Sequence, residues 1–189
     1  MTEREWVKTL ISGIETSLRK NSDKIRVTDG FRLPYSSEIK MYTGKNPSEF
    51  NQIGYETDIL IYEQLDTNNW KPRIIIETKI NSVTTHDAIT YSQKAQTHKN
   101  VHPYLRYGIL IGNREHHPLP GRLFRHGQHF DFMHSWKDYK ADDNEWFELI
   151  GILENEIEAS KILEEILFNS RSRTRERYTL LHRPLILKE

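Results

Sequence analysis

Charge stands in this chain where charge is costly. Residues 74–80 read IIIETKI, so that Glu77 and Lys79 close an isoleucine run that follows Pro72 and Arg73. A run this apolar has the character of a buried strand. An ionised group inside one costs several kcal/mol unless it is paired, metal-bound or open to a cleft. Alternate residues of a strand share a face, so Glu77 and Lys79 point the same way, roughly 6.7 Å apart along the strand, together with Arg73 and Ile75. Upstream, YETDILIYE (55–63) is a second strand-like run, and Glu56, Asp58, Leu60 and Tyr62 form one side of it. A hairpin between the two runs puts Asp58 beside Glu77. Two carboxylates converging near a lysine make an oxygen-rich site of the kind Mg²⁺ takes. Such an ion activates a water, stabilises charge on a phosphate and neutralises a leaving oxygen. Lys79 would then orient or deprotonate the water, or hold the scissile phosphate as a compact cation. The competing reading is a structural ion pair of Glu77 with Lys79 or Arg73.

Periodicity and punctuation predict the elements that must hold these residues. Residues 3–20 place Val7, Leu10, Ile11, Ile14 and Leu18 on one stripe, which predicts an amphipathic first helix. SEIKMYTG (37–44) reads as a short strand, and 44–54, with Gly, Asn and Pro, as a loop. LDTNNWKP (65–72) supplies the turn of the hairpin from 55–63 into 73–80. In TTHDAITYSQKAQTHK (84–99), Thr84 or Thr85 caps a helix with Asp87 in its first turn. LRYGILIG (105–112) is a further buried strand. Strand, helix and strand within about thirty residues make a crossover unit, so 73–80 and 105–112 should pair in parallel. Residues 116–128 read as a loop with one short element, HFDFMHSW (129–136) as a later strand, and 144–169 as a long helix. The fold predicted is α/β: one domain with a central mixed sheet, helices on both faces and a long C-terminal helix.

Asp58, eighteen intervening residues and then Glu77-Thr78-Lys79, on a hairpin followed by a helix and a parallel strand, resembles the PD-(D/E)xK nuclease superfamily. That superfamily includes type II restriction endonucleases and archaeal Holliday-junction resolvases. The resemblance covers roughly residues 3–112 and leaves 113–189 as elaboration of a single domain. It implies a restriction-endonuclease-like fold, Asp58 and Glu77 as ligands of Mg²⁺ (with Mn²⁺ a substitute), and Lys79 as the third catalytic residue. Members often add a glutamate ligand from the first helix; Glu15, on the flank of the apolar stripe, is the candidate, with Glu38 its rival. Members also carry a Gln or Lys on the helix after the lysine strand, which Gln93 or Lys94 would match. Thr57 stands where the family signature has proline, a departure that touches no catalytic group. The implied activity is Mg²⁺-dependent cleavage of DNA, of restriction type first and resolvase-like repair second. A homodimer is implied too, because cutting both strands of a duplex needs two such sites.

Charge distribution adds a partner surface. Net charge is zero, yet residues 94–126 hold Lys94, Lys99, Arg106, Arg114, Arg122 and Arg125 against Glu115 alone, while 138–165 are strongly acidic and RSRTRER (171–177) is basic again. Such separation lets one face meet a polyanion while the molecule stays neutral. In LPGRLFRHG (119–127), Arg122 and Arg125 could reach phosphates or base edges; an ordered loop with Phe124 packed inward is the plain alternative. Tyr91, Tyr104 and Tyr107 read as core or hydrogen-bonded surface. The nine histidines invite a zinc hydrolase reading, but His116–His117 and His126–His129 fit ligand spacing poorly, and His86 could instead lie near the mouth of the carboxylate site. The absence of cysteine excludes disulfides and thiolate sites. No stretch approaches the roughly 20 apolar residues of a membrane span, and the acidic, amphipathic MTEREWVKTL is no secretory signal. The expected location is the cytoplasm. A catalytically silent binding module on the same scaffold is the rival class.

Overall fold

The computed structural model describes residues 1–114 and 118–169. Helix α1 (Glu3–Leu18) begins at Thr2, whose hydroxyl accepts from the Glu5 N–H while the Glu5 carboxylate takes the Thr2 N–H. These reciprocal bonds satisfy donors that a helix start leaves open. Trp6, Val7, Leu10, Ile14 and Leu18 form its buried stripe. Strands β1 (Ile25–Thr28), β2 (Arg32–Thr43), β3 (Asn46–Glu56), β4 (Ile59–Gln64) and β5 (Trp70–Ile80) follow. Then come helix α2 (Thr85–Val101), strand β6 (Arg106–Gly112), the short helix α3 (Gly121–His126), strand β7 (Phe132–Ser135) and helix α4 (Asp143–Glu164), which runs on into a π-helical turn at Glu165–Asn169.

One sheet carries the body, in the order β1-β4-β5-β6-β7. β1, β4 and β5 are antiparallel neighbours, whereas β5, β6 and β7 run parallel, with α2 as the crossover between β5 and β6. This is the mixed sheet that the sequence predicts, and Thr84 caps α2 with Asp87 closing the box. Alternation divides the strands between two cores. Ile59, Ile61, Ile74, Ile76, Leu110 and Phe132 pack with α1 and α4. Leu60, Ile75, Tyr107, Ile109 and Ile111 pack with α2, α3 and the root of β2. β5 is therefore buried on both faces, which is why it reads as an unbroken apolar run; each such isoleucine contributes about 1.5–3 kcal/mol.

Three expectations are corrected. The segment 37–54 is not a short strand and a loop: β2 and β3 form a long separate hairpin that turns at Gly44, which takes φ +63°. Its outer half is solvent-exposed, so it carries no one-sided apolar alternation for a sequence reading to find. The run 55–63 is not one strand. Tyr55 and Glu56 end β3, and a break at Thr57 and Asp58 precedes β4. There the Thr57 N–H donates to the Phe31 carbonyl and the Gly30 N–H to that of Thr57. Finally, Arg73 does not share the face of Glu77. The register slips from Ile61–Ile74 to Tyr62–Pro72, leaving Arg73 as the extra residue of a bulge. Its guanidinium turns to the α4 side, onto Glu63, Ser160 and Glu164.

Candidate active site

Ile59 pairs with Ile76 at the end of the β4–β5 ladder, so Asp58 and Glu77 occupy the next positions out, on adjacent strands. Asp58 Oδ2 accepts from the Thr78 backbone N–H at 2.7 Å and from the Thr78 hydroxyl at 2.9 Å. Among the described residues, no hydrogen bond reaches its other oxygen. Glu77 is 1% exposed. Its carboxylate accepts from the Tyr107 hydroxyl on β6 at 2.5 Å, and the Lys94 ammonium on α2 lies 3.0 Å from Oε1 and 3.1 Å from Oε2. Burial pushes the Glu77 carboxyl above its usual range; Lys94 pulls it back, and the neighbouring Asp58 charge adds to the rise.

Lys79 stands on the same face, where β5 ends and α2 begins. Its ammonium is 3.2 Å from Glu3 of α1 and 3.8 Å from Asp87 of α2, and 5.4 Å from the centroid of the Tyr91 ring. Burial pulls the Lys79 ammonium down, but Tyr91 and Glu3 outweigh it and raise it above its ordinary value. Lys79 is thus held as a cation. A lysine paired with two carboxylates suits charge stabilisation or phosphate binding.

The structure thus brings together four of the residues singled out in sequence, Asp58, Glu77, Lys79 and Lys94, the last as the ion-pair partner of Glu77. Glu15 does not join them: its Oε2 accepts the Val27 N–H of the edge strand β1 at 2.9 Å, and Arg19 lies 3.7 Å from Oε1. The acid that α1 brings to the site is Glu3, in its first turn, a residue that the periodicity of the apolar stripe does not mark. Glu38 lies out on the hairpin, where Asn51 donates to it at 3.1 Å. Gln93 is exposed on α2, and Arg122 and Arg125 are exposed on α3. His86 is exposed in the first turn of α2. His116, His117, His182 and the basic segment 171–177 lie outside the described residues. Among the described residues, no three histidine or acidic side chains gather as a metal centre. Mg²⁺ is commonly held by one or two carboxylates, with waters and substrate phosphates completing its octahedron. The pair Asp58 and Glu77 fits that donor set.

No protein-family model matches this chain, and no curated protein matches it. The chemistry therefore rests on geometry. Tyr107, which the sequence alone reads as core or hydrogen-bonded surface, is buried and holds Glu77. It pairs with Ile75 in the parallel ladder and so lies diagonally across from Glu77. Only the register reveals that its hydroxyl reaches the carboxylate; nothing local to LRYGILIG marks it.

Proposed function

We propose that this chain is a Mg²⁺-dependent endonuclease of restriction-endonuclease-like type that hydrolyses DNA phosphodiester bonds, with Mn²⁺ as a substitute. The observation that carries this is the convergence of Asp58 and Glu77 on adjacent strand ends, with the Lys79 ammonium held by Glu3 and Asp87 on the same face. Bound Mg²⁺ would supply a polarised water and compensation for charge on the phosphate. Asp58 and Glu77 would hold it, Thr78 fixing the first carboxylate and Tyr107 the second. The Lys79 ammonium, braced by Glu3 and Asp87, would bind a non-bridging phosphate oxygen as negative charge grows there. Exposed Arg122 and Arg125, on a helix packed beside α2, supply cations for the flanking backbone. A cytoplasmic homodimer is part of the proposal, since a duplex cut needs two sites.

A second reading has its own observation. Both Glu77 oxygens are already engaged, so the same cluster serves equally as an ionic network in a binding module without chemistry. Incubation of supercoiled plasmid and branched DNA with and without Mg²⁺ separates the two. Metal-dependent nicking by the native chain that Asp58→Asn abolishes is the expected result, with little change in the fold because an amide oxygen still accepts from Thr78. Cleavage that survives Asp58→Asn undiminished overturns the assignment, and DNA binding without any cleavage selects the silent module.

A further inference from the structure

Lys94 holds the position that a cation would need. Its ammonium bridges both oxygens of a carboxylate that is almost wholly buried, at 3.0 and 3.1 Å. That carboxylate stands next to Asp58, whose charge acts on it, and among the described residues Tyr107 adds one further bond. Two apposed carboxylates in such a place repel unless a cation lies between or beside them. Lys79, the other ammonium on this face, is drawn off toward Glu3 and Asp87. We propose that Lys94 is a resident counter-cation that keeps the carboxylate pair folded without metal, and that a divalent ion enters the site by displacing it from Glu77. This rests on the metal-site reading given above and deepens it.

The side chain is built to leave. Lys94 sits mid-helix on α2, and its side chain keeps 19% of its surface exposed. The ammonium already lies 5.5 Å from the Tyr55 ring centroid and 5.2 Å from that of Tyr91. Rotation about its four-carbon stem exchanges the Glu77 contact for water and these ring faces without breaking any backbone bond. Competition of this kind lowers apparent metal affinity by the fraction of time the carboxylate is free of lysine. It therefore predicts a site that binds Mg²⁺ weakly until the lysine is removed.

Lys94→Met keeps length and apolar contacts and deletes the charge. Calorimetric titration with Mg²⁺ and with Mn²⁺ should show affinity at least tenfold tighter than in the native chain. Thermal unfolding in EDTA should show a lower midpoint than the native chain, and saturating Mg²⁺ should recover most of that loss. Lys94→Gln, which can still donate one hydrogen bond to Glu77, keeps the test open should the methionine variant fail to fold, and it should tighten binding as well. Equal or weaker metal affinity in the folded variant overturns the displacement model while leaving the metal site standing. No titration in native chain and variant alike, with the EDTA loss not recovered by Mg²⁺, overturns both this proposal and the metal-site reading.

Discussion

Glu3 and Asp87 place two carboxylates 3.2 and 3.8 Å from the Lys79 ammonium, and neither sits on the strand that carries it. A lysine positioned by acids from two helices is fixed in space before substrate arrives, which is what electrostatic catalysis requires. Losing it should leave Asp58 and Glu77, the proposed metal ligands, in place. Lys79→Ala is therefore expected to keep its divalent affinity and to cut single-turnover cleavage by roughly 10²-fold or more, the scale for loss of one transition-state charge contact. Calorimetry and quenched cleavage assays on the same preparation check both halves. A variant that unfolds earlier but cuts at the native rate under saturating metal would make Lys79 a structural partner of Glu3 and Asp87. The contrast with Lys94 is a matter of neighbours. One ammonium is bound to acids outside the Asp58–Glu77 pair, and the other to a member of it.

The β2–β3 hairpin is an element whose root and tip have different physics. At the root, Leu33 is buried among the α2-side core, and the Tyr35 and Tyr55 rings stack 3.9 Å apart between centroids. Beyond Ser36 nearly every residue is exposed, including Ile39, Met41, Tyr42 and Phe50. Stability therefore resides in the root. Replacing 37–52 by a two-residue Asn-Gly turn that joins Ser36 to Ile53 should leave the body folded, with unfolding free energy within about 1 kcal/mol of the native chain, because little buried surface is lost. Urea unfolding followed by circular dichroism measures this. A loss several times larger would show that the arm braces the domain. Register slips at three places along the ribbon break its edges as ladders, a device that discourages other strands from adding to it.

At the scale of the molecule, stability should acquire a steep acid limb from a histidine. His98 is fully buried on α2, with the Tyr55 and Tyr107 rings at 5.9 and 5.8 Å between centroids. Burial above all, then His102, lower its pKa from 6.5 to about 4; the Pro34 carbonyl pulls it up and Lys94 adds to the fall. The unfolded chain then binds a proton between these two values that the folded chain refuses. The contribution of His98 is present above pH 6.5 and drains away as the pH falls toward 4. Between pH 7 and pH 5 the native chain should lose up to about 2 kcal/mol that a His98→Phe variant does not lose. Urea unfolding of both proteins at the two pH values gives the difference; equal slopes would mean that the imidazole is solvated or paired in the native state.

Patterns confined to one segment were open to a linear reading. The apolar stripe of α1, the Thr84–Asp87 cap, the isoleucine run of β5 and the strand-helix-strand spacing that forces parallel pairing each depend on neighbours within a turn or two. Asp58 opposite Glu77 follows from one hairpin, the simplest non-local pairing, and it too was accessible. What escaped depends on register and on elements distant in the chain. A single bulge residue turns Arg73 to the opposite face, because a slip of one position reverses every side chain beyond it. The Tyr107 bond to Glu77 depends on how β6 lies against β5, and the choice of Glu3 over Glu15 on where the start of α1 meets the end of β5. Lys94 pairs with Glu77 rather than with solvent only because α2 is laid over that face of the sheet. Local free energies select the elements, but the ion pairs of the site form between elements, and long-range packing alone decides which charges meet.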